Sequence, residues 1–177
     1  MMKIRGKLLP LLTIIVLPLL MVCCTTLAER QTELRGSPPV ITNSFASKEV
    51  CHGDVWKVYL EAHDPDGDMQ RFVYTITRAG AAYHVNYVSI KKADQGRLLG
   101  YLSVYISPPE DAQGEWAHLT LTVYIRDKGR NTSDRVIFPM ALSRGVKQAS
   151  PPASFGVGGV KGVGTIWYRL KAPRGDL

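Results

Sequence analysis

The sequence predicts an all-β sandwich of seven or eight antiparallel strands, and three observations carry that expectation. Between residues 38 and 143, apolar and polar residues alternate with period two in five separate runs. Turn residues stand at each join, and no window of a dozen residues keeps a helical period.

The elements follow in order. An opening strand is predicted over residues 40–45. Trp56, Val58, Leu60 and Ala62 then share one face, opposite Lys57, Tyr59 and Glu61, so one side of that strand is buried and the other wet. Phe72, Tyr74 and Ile76 repeat the pattern against Arg71, Thr75 and Thr77, and a further strand is predicted within 83–90. Leu102, Val104 and Ile106 follow. The clearest run sets Leu119, Leu121, Val123 and Ile125 against His118, Thr120, Thr122 and Tyr124. Val136, Phe138, Met140 and Leu142 complete the series, and Pro139 places that strand at an edge because it has no N–H to donate to a ladder.

Asp64-Pro65-Asp66-Gly67 has the composition of a type I turn, with Asp first, Pro preset for the second position and Gly last. Ala79-Gly80, residues 94–96, residues 108–114 and Asp127-Lys128-Gly129 break the other runs.

Ahead of the sandwich stands an export leader. Lys3, Arg5 and Lys7 precede an apolar run of about 15 residues from Leu8 to Val22, short of the roughly 20 needed to span a bilayer. The run ends on Cys23 and Cys24, and Leu20-Met21-Val22-Cys23 resembles the lipobox of bacterial lipoproteins, with Val22 where those boxes usually carry Gly, Ala or Ser. The resemblance implies a lipidated Cys23 or Cys24 and attachment to the bacterial (outer) membrane. Thr26-Leu27-Ala28 offers the ordinary small-x-small cleavage site and a periplasmic or secreted product instead. The expected organisation is a leader over 1–24, a tether over 25–37, a sandwich over 38–143 and a flexible, basic, Gly-rich tail over 144–177.

The net charge of +7 belongs mostly to the ends. Lys3, Arg5 and Lys7 lie in the leader, and Arg144, Lys147, Lys161, Arg169, Lys171 and Arg174 face only Asp176 in the tail. The segment between is within about one charge of neutral, which argues against a nucleic-acid partner. An envelope protein or a cell-wall component is the expected partner class.

Two acidic turns carry a more specific signal. Glu61-Ala62-His63-Asp64-Pro65-Asp66-Gly67-Asp68 closes one strand, and Val123-Tyr124-Ile125-Arg126-Asp127-Lys128-Gly129-Arg130-Asn131-Thr132-Ser133 runs into the last. Together they resemble bacterial immunoglobulin-like repeats of the cadherin-like and fibronectin-III-like kind, with Arg130 inserted between Gly129 and Asn131. The resemblance covers about residues 38–143. It implies the immunoglobulin-like sandwich, a fold that hosts many unrelated roles. The leader, the polar tether and the single sandwich together give the expected function, a non-enzymatic binding or scaffolding module; a calcium-stabilised secreted adhesion module and an accessory domain of an envelope enzyme are the alternatives.

Asp64, Asp66, Asp68 and Asp127 are the candidate calcium ligands, because the two turns emerge at one end of such a sandwich and calcium takes six to eight oxygens. The spacing is not that of an EF-hand, and Arg126, Lys128 and Arg130 beside Asp127 would repel a cation. The other reading is a turn whose Asp side chains bond backbone amides. No organic cofactor is expected.

No catalytic set is expected. Cys51 and His52 are adjacent on an extended chain and point to opposite faces, and His52, His63, His84 and His118 have no metal-ligand spacing. Trp56 reads as the core aromatic, Trp116 and Trp167 as exposed anchors, and Asn131-Thr132-Ser133 as a turn. At the far end Ile166, Tyr168 and Leu170 alternate with Trp167 and Arg169. This segment is too apolar for free solvent, so Ile166, Trp167, Tyr168 and Leu170 are expected to dock on the chain's own sheet edge or on a partner's.

Overall fold

The computed structural model describes residues 36–79, 84–107, 117–156 and 160–170. The chain divides into two units, Met1–Gly36 and Ser37–Leu177, and the second is treated below. The leader, Cys23, Cys24 and Trp116 lie outside the described residues.

Nine strands are present among the described residues: β1 (Val40–Ala46), β2 (Glu49–Cys51), β3 (Trp56–His63), β4 (Met69–Thr77), β5 (Asn86–Ser89), β6 (Arg97–Ser107), β7 (Ala117–Asp127), β8 (Val136–Ser143) and β9 (Lys161–Arg169). They form a four-stranded sheet, β1-β3-β6-β9, and a five-stranded sheet, β2-β8-β7-β4-β5. The order β1-β3-β6 beside β8-β7-β4-β5 is the Greek-key order of an immunoglobulin-like sandwich.

Burial follows the predicted alternation. In β7 every second residue from Ala117 to Asp127 is buried, and in β3 Trp56, Val58, Leu60 and Ala62 are. Their inward faces make one core with Phe72, Leu98, Leu102, Phe138 and Met140. Trp56 anchors it, and its indole N–H donates to the Ser47 carbonyl at 2.9 Å. Ser47 lies where the chain crosses from β1 in one sheet to β2 in the other.

Pro139 sits in β8 between two neighbours, yet its missing donor costs nothing. Ala141, two residues on, donates its N–H away from β7 to the Lys48 carbonyl at 2.8 Å, so the Pro139 nitrogen faces that same side. Strand β2 begins only opposite Ala141, and the edge beside Pro139 is open.

Two expectations need correction. Not all pairs are antiparallel: β2 runs parallel to β8, and β9 parallel to β6. Nor does the domain end at Ser143. The segment expected as a flexible tail crosses the outer face of the four-stranded sheet, where Ala149 N–H donates to Ser47 Oγ (3.1 Å) and Gln148 Nε2 to the Val55 carbonyl (2.9 Å). Phe155 is buried there against Tyr59, with ring centroids 5.6 Å apart. Strand β9 then lies along β6 from Gly100 to Ser107 and sinks Val163 and Ile166 into the core, followed by Leu170 just beyond its end.

Glycine makes this docking possible. A β-carbon at Gly100 would collide with Val163 and come within 2.8 Å of the Lys161 carbonyl; one at Gly164 would collide with the Val88 side chain of β5 and come within 3.0 Å of Leu102 Cδ2.

Candidate metal centre

The Asp64–Gly67 turn forms as its composition requires. Gly67 N–H donates to the Asp64 carbonyl at 3.1 Å, and Gly67 takes φ +70°, a conformation that costs glycine little. Asp64 N–H donates to the Gly96 carbonyl (2.9 Å) and Met69 N–H to the Gln95 carbonyl (3.1 Å), tying this turn to the start of β6. Lys128 N–H donates to the Asp68 carbonyl at 3.2 Å, which ties it to the β7–β8 turn. Both acidic turns therefore meet at one end of the sandwich.

Three of the four predicted carboxylates converge. Asp64, Asp68 and Asp127 each offer an oxygen, and these lie within 4.8 Å of one another. Two oxygens bound to one calcium at about 2.4 Å can be no farther apart than about 4.8 Å, so the cluster has the span of a single coordination shell. Asp66 is not part of it. Its backbone N–H donates to Asp64 Oδ1 at 3.0 Å, and its exposed carboxylate instead accepts the backbone N–H of Ser37, where the chain enters the domain.

Hydrogen bonding separates the three. Asp127 is satisfied locally, accepting Asn131 N–H at 2.7 Å and Asn131 Nδ2 at 2.8 Å, which closes the β7–β8 turn as an Asx-type cap. Asp64 is only 5 % exposed; one of its oxygens takes the Asp66 amide, and Oδ2 is buried with no donor. Asp68 Oδ1 is likewise buried without a donor. Buried carboxylate oxygens without a donor are costly.

Electrostatics point the same way. Burial holds the Asp68 carboxyl above its ordinary value of 3.8; Asp127 and Asp64, and the side-chain contact with Asp64, push it further, while Lys128 pulls it back. The raising effects outweigh the pull of Lys128, so on balance the three carboxylates repel one another. Arg126, Lys128 and Arg130, expected to repel a cation, line a cleft with Gln70 and Arg71 that includes none of the three aspartates.

The other candidates stay apart. His52, His63, His84 and His118 lie on separate elements, and Asp64, Asp68 and Asp127 are the one multi-residue metal-type cluster among the described residues. Of the terminal segment, Ile166 and Leu170 are core residues and Tyr168 packs against the core, so they are not free for a partner; Trp167 is exposed and stacks on Tyr105 at 4.2 Å.

The strand order and paired acidic turns define an immunoglobulin-like β-sandwich. Among solved structures the chain is similar to the PKD domain of an M14-like peptidase from Thermoplasmatales archaeon SCGC AB-540-F20, at 12% identity and a TM-score of 0.34, over 62% of this chain and 99% of that one. No family profile and no curated protein matches the chain.

Proposed function

We propose that the protein is a non-enzymatic, membrane-tethered immunoglobulin-like module of a bacterial envelope whose turn-rich end is held together by calcium. The observation that carries the calcium reading is the pair of buried, donorless oxygens, Asp64 Oδ2 and Asp68 Oδ1, within one coordination span of Asp127. Three carboxylates provide up to six oxygens, and flexible, oxygen-only coordination suits calcium better than magnesium. Bound there, the ion would neutralise the repulsion among the aspartates and join the β3–β4 turn to the β7–β8 turn.

Calcium that binds only the folded chain raises its stability by about 2.7 kcal/mol at a hundred times the dissociation constant. The check is thermal unfolding with calcium and with chelator, for the full chain and for Asp68→Asn. Because the Asp68 pKa is raised on folding, its favourable contribution is complete below 3.8 and is lost as pH climbs through the folded value. In chelator at pH 7, Asp68→Asn is therefore expected to melt higher than the parent, with the gap closing towards pH 4, and to have lost most of its calcium response. A parent that calcium does not shift, or an Asp68→Asn variant less stable in chelator, favours the turn reading.

Tethering rests on Cys23 and Cys24 at the end of the leader. Two acyl chains anchor stably where one binds only marginally. Replacing both cysteines with Ser is expected to leave the protein unprocessed or soluble. An intact mass that begins at Glu29 and carries no lipid would establish ordinary secretion, and with it the adhesion-module alternative.

A further inference from the structure

A second site lies beside the acidic one and has the opposite charge. Gln70, Arg71, Arg126, Lys128 and Arg130 line a cleft of about 380 Å³ with no carboxylate in its lining. Three details of the fold put the cations there. A bulge in β4 between Met69 and Arg71 breaks the alternation, so Gln70 and Arg71 are both on the outer face between buried Met69 and Phe72. Arg71 is then paired directly with Arg126 across the β4–β7 ladder, a like-charge neighbour that weakens a sheet. Arg130, in the β7–β8 turn, adopts φ +72°, a conformation that glycine takes at lower cost.

Among the described residues the side-chain hydrogen bonds and ring contacts of this set are with neutral groups, although Lys128 also feels the Asp68 carboxylate. Arg71 Nε donates to Gln70 Oε1 at 3.1 Å, and its guanidinium lies 5.1 Å from the Tyr87 ring centre; Lys128 Nζ donates to Gln95 Oε1 at 3.1 Å. Those partners are neutral, and no ion pair among the described residues involves the four cations. Repulsive charges gathered into a cleft at the expense of sheet and turn stability are what an anion site requires.

We infer that this cleft binds a phosphate group. Guanidinium forks match tetrahedral phosphate oxygens with paired hydrogen bonds, and a multiply charged oxyanion offsets several cations where a single carboxylate would not. A lipid headgroup and a free phosphate share this chemistry. The headgroup alternative rests on the tethering proposed above: Ser37, the last residue of the expected tether, bonds Asp66 at this same end. The inference does not depend on the calcium reading.

The test is calorimetric titration of the full-length chain, in chelator, with inorganic phosphate, with glycerophosphoglycerol as a soluble phosphodiester headgroup, and with acetate at matched ionic strength. Phosphate or the diester is expected to bind where acetate does not. Arg71→Gln combined with Arg126→Gln should lower that affinity about tenfold or more, whereas exposed Arg144→Gln should leave it unchanged. Binding by the diester assigns the site to headgroups, and binding by inorganic phosphate alone assigns it to soluble phosphate. Without ligand, the double variant should melt no lower than the parent, because a like-charge pair has been removed. No binding by either phosphate, equal binding by acetate, an equal loss in Arg144→Gln, or a destabilised double variant overturns the proposal.

Discussion

Deleting residues 161–177 is expected to abolish the cooperative unfolding transition of the full chain. Val163 and Ile166 of β9, and Leu170 just after it, are 4 %, 0 % and 4 % exposed. At about 1.5–3 kcal/mol for each buried side chain, their loss removes about 5–9 kcal/mol, the order of a whole domain's stability of about 5–15 kcal/mol. The deletion also opens the β6 edge and leaves the buried carboxylate of Asp94 without Lys161, whose Nζ lies 2.6 Å away. Near-UV circular dichroism on heating is the measurement. A truncated chain that melts within a few degrees of the parent would show β9 to be dispensable. Gly100→Val asks the same question with every residue present, since its side chain would occupy the space of Val163 and the Lys161 carbonyl; it too should unfold far below the parent.

Trp56→Ala is expected to cost about 3–5 kcal/mol, as for other buried aromatics cut to alanine. The indole is 1 % exposed, and its N–H holds the Ser47 carbonyl where the first two strands change sheets. Ser47 is itself shared: its hydroxyl donates to the Glu49 carbonyl at 2.7 Å and accepts Ala149 N–H. A melting temperature lower by about 10–20 °C is expected for a domain of this size. Trp56→Phe keeps most of the volume and loses the hydrogen bond, so it should fall between. Equal losses in the two variants would assign the effect to the hydrogen bond rather than to the volume.

Much of the sandwich was legible locally. Strand β7 alternates over its full length because one face meets the core and the other meets water, and period two follows from the pleat alone. The Asp64–Gly67 turn was readable because proline presets one position and glycine accommodates another. Asp64, Asp68 and Asp127 were predicted together because loops at one end of this fold are neighbours. Asp66 was grouped with them on spacing, yet its carboxylate leaves the turn for Ser37, a contact across 29 residues that no local pattern contains.

The basic cleft was harder to see. Arg126, Lys128 and Arg130 were visible as neighbours of Asp127, but Arg71 joins them through the bulge and the β4–β7 register. Alternation already put Arg71 on the outer face; what it could not show was that the bulge brings Gln70 out beside it and that the register sets Arg71 opposite Arg126.

By itself, the sequence determined the class of fold, most strand positions, the core tryptophan and the acidic turns, because each depends on residues near one another along the chain. Tertiary structure alone decided that β9 belongs to the core, that β2 and β9 pair in parallel, which aspartates converge, and that four cations share a cleft. An alternating segment such as residues 165–170 states that it needs a sheet edge without saying which one. Gly100 makes room for Val163 and the Lys161 carbonyl, and Gly164 makes room for the Val88 and Leu102 side chains, and such complementarity exists only once the distant segments are in place.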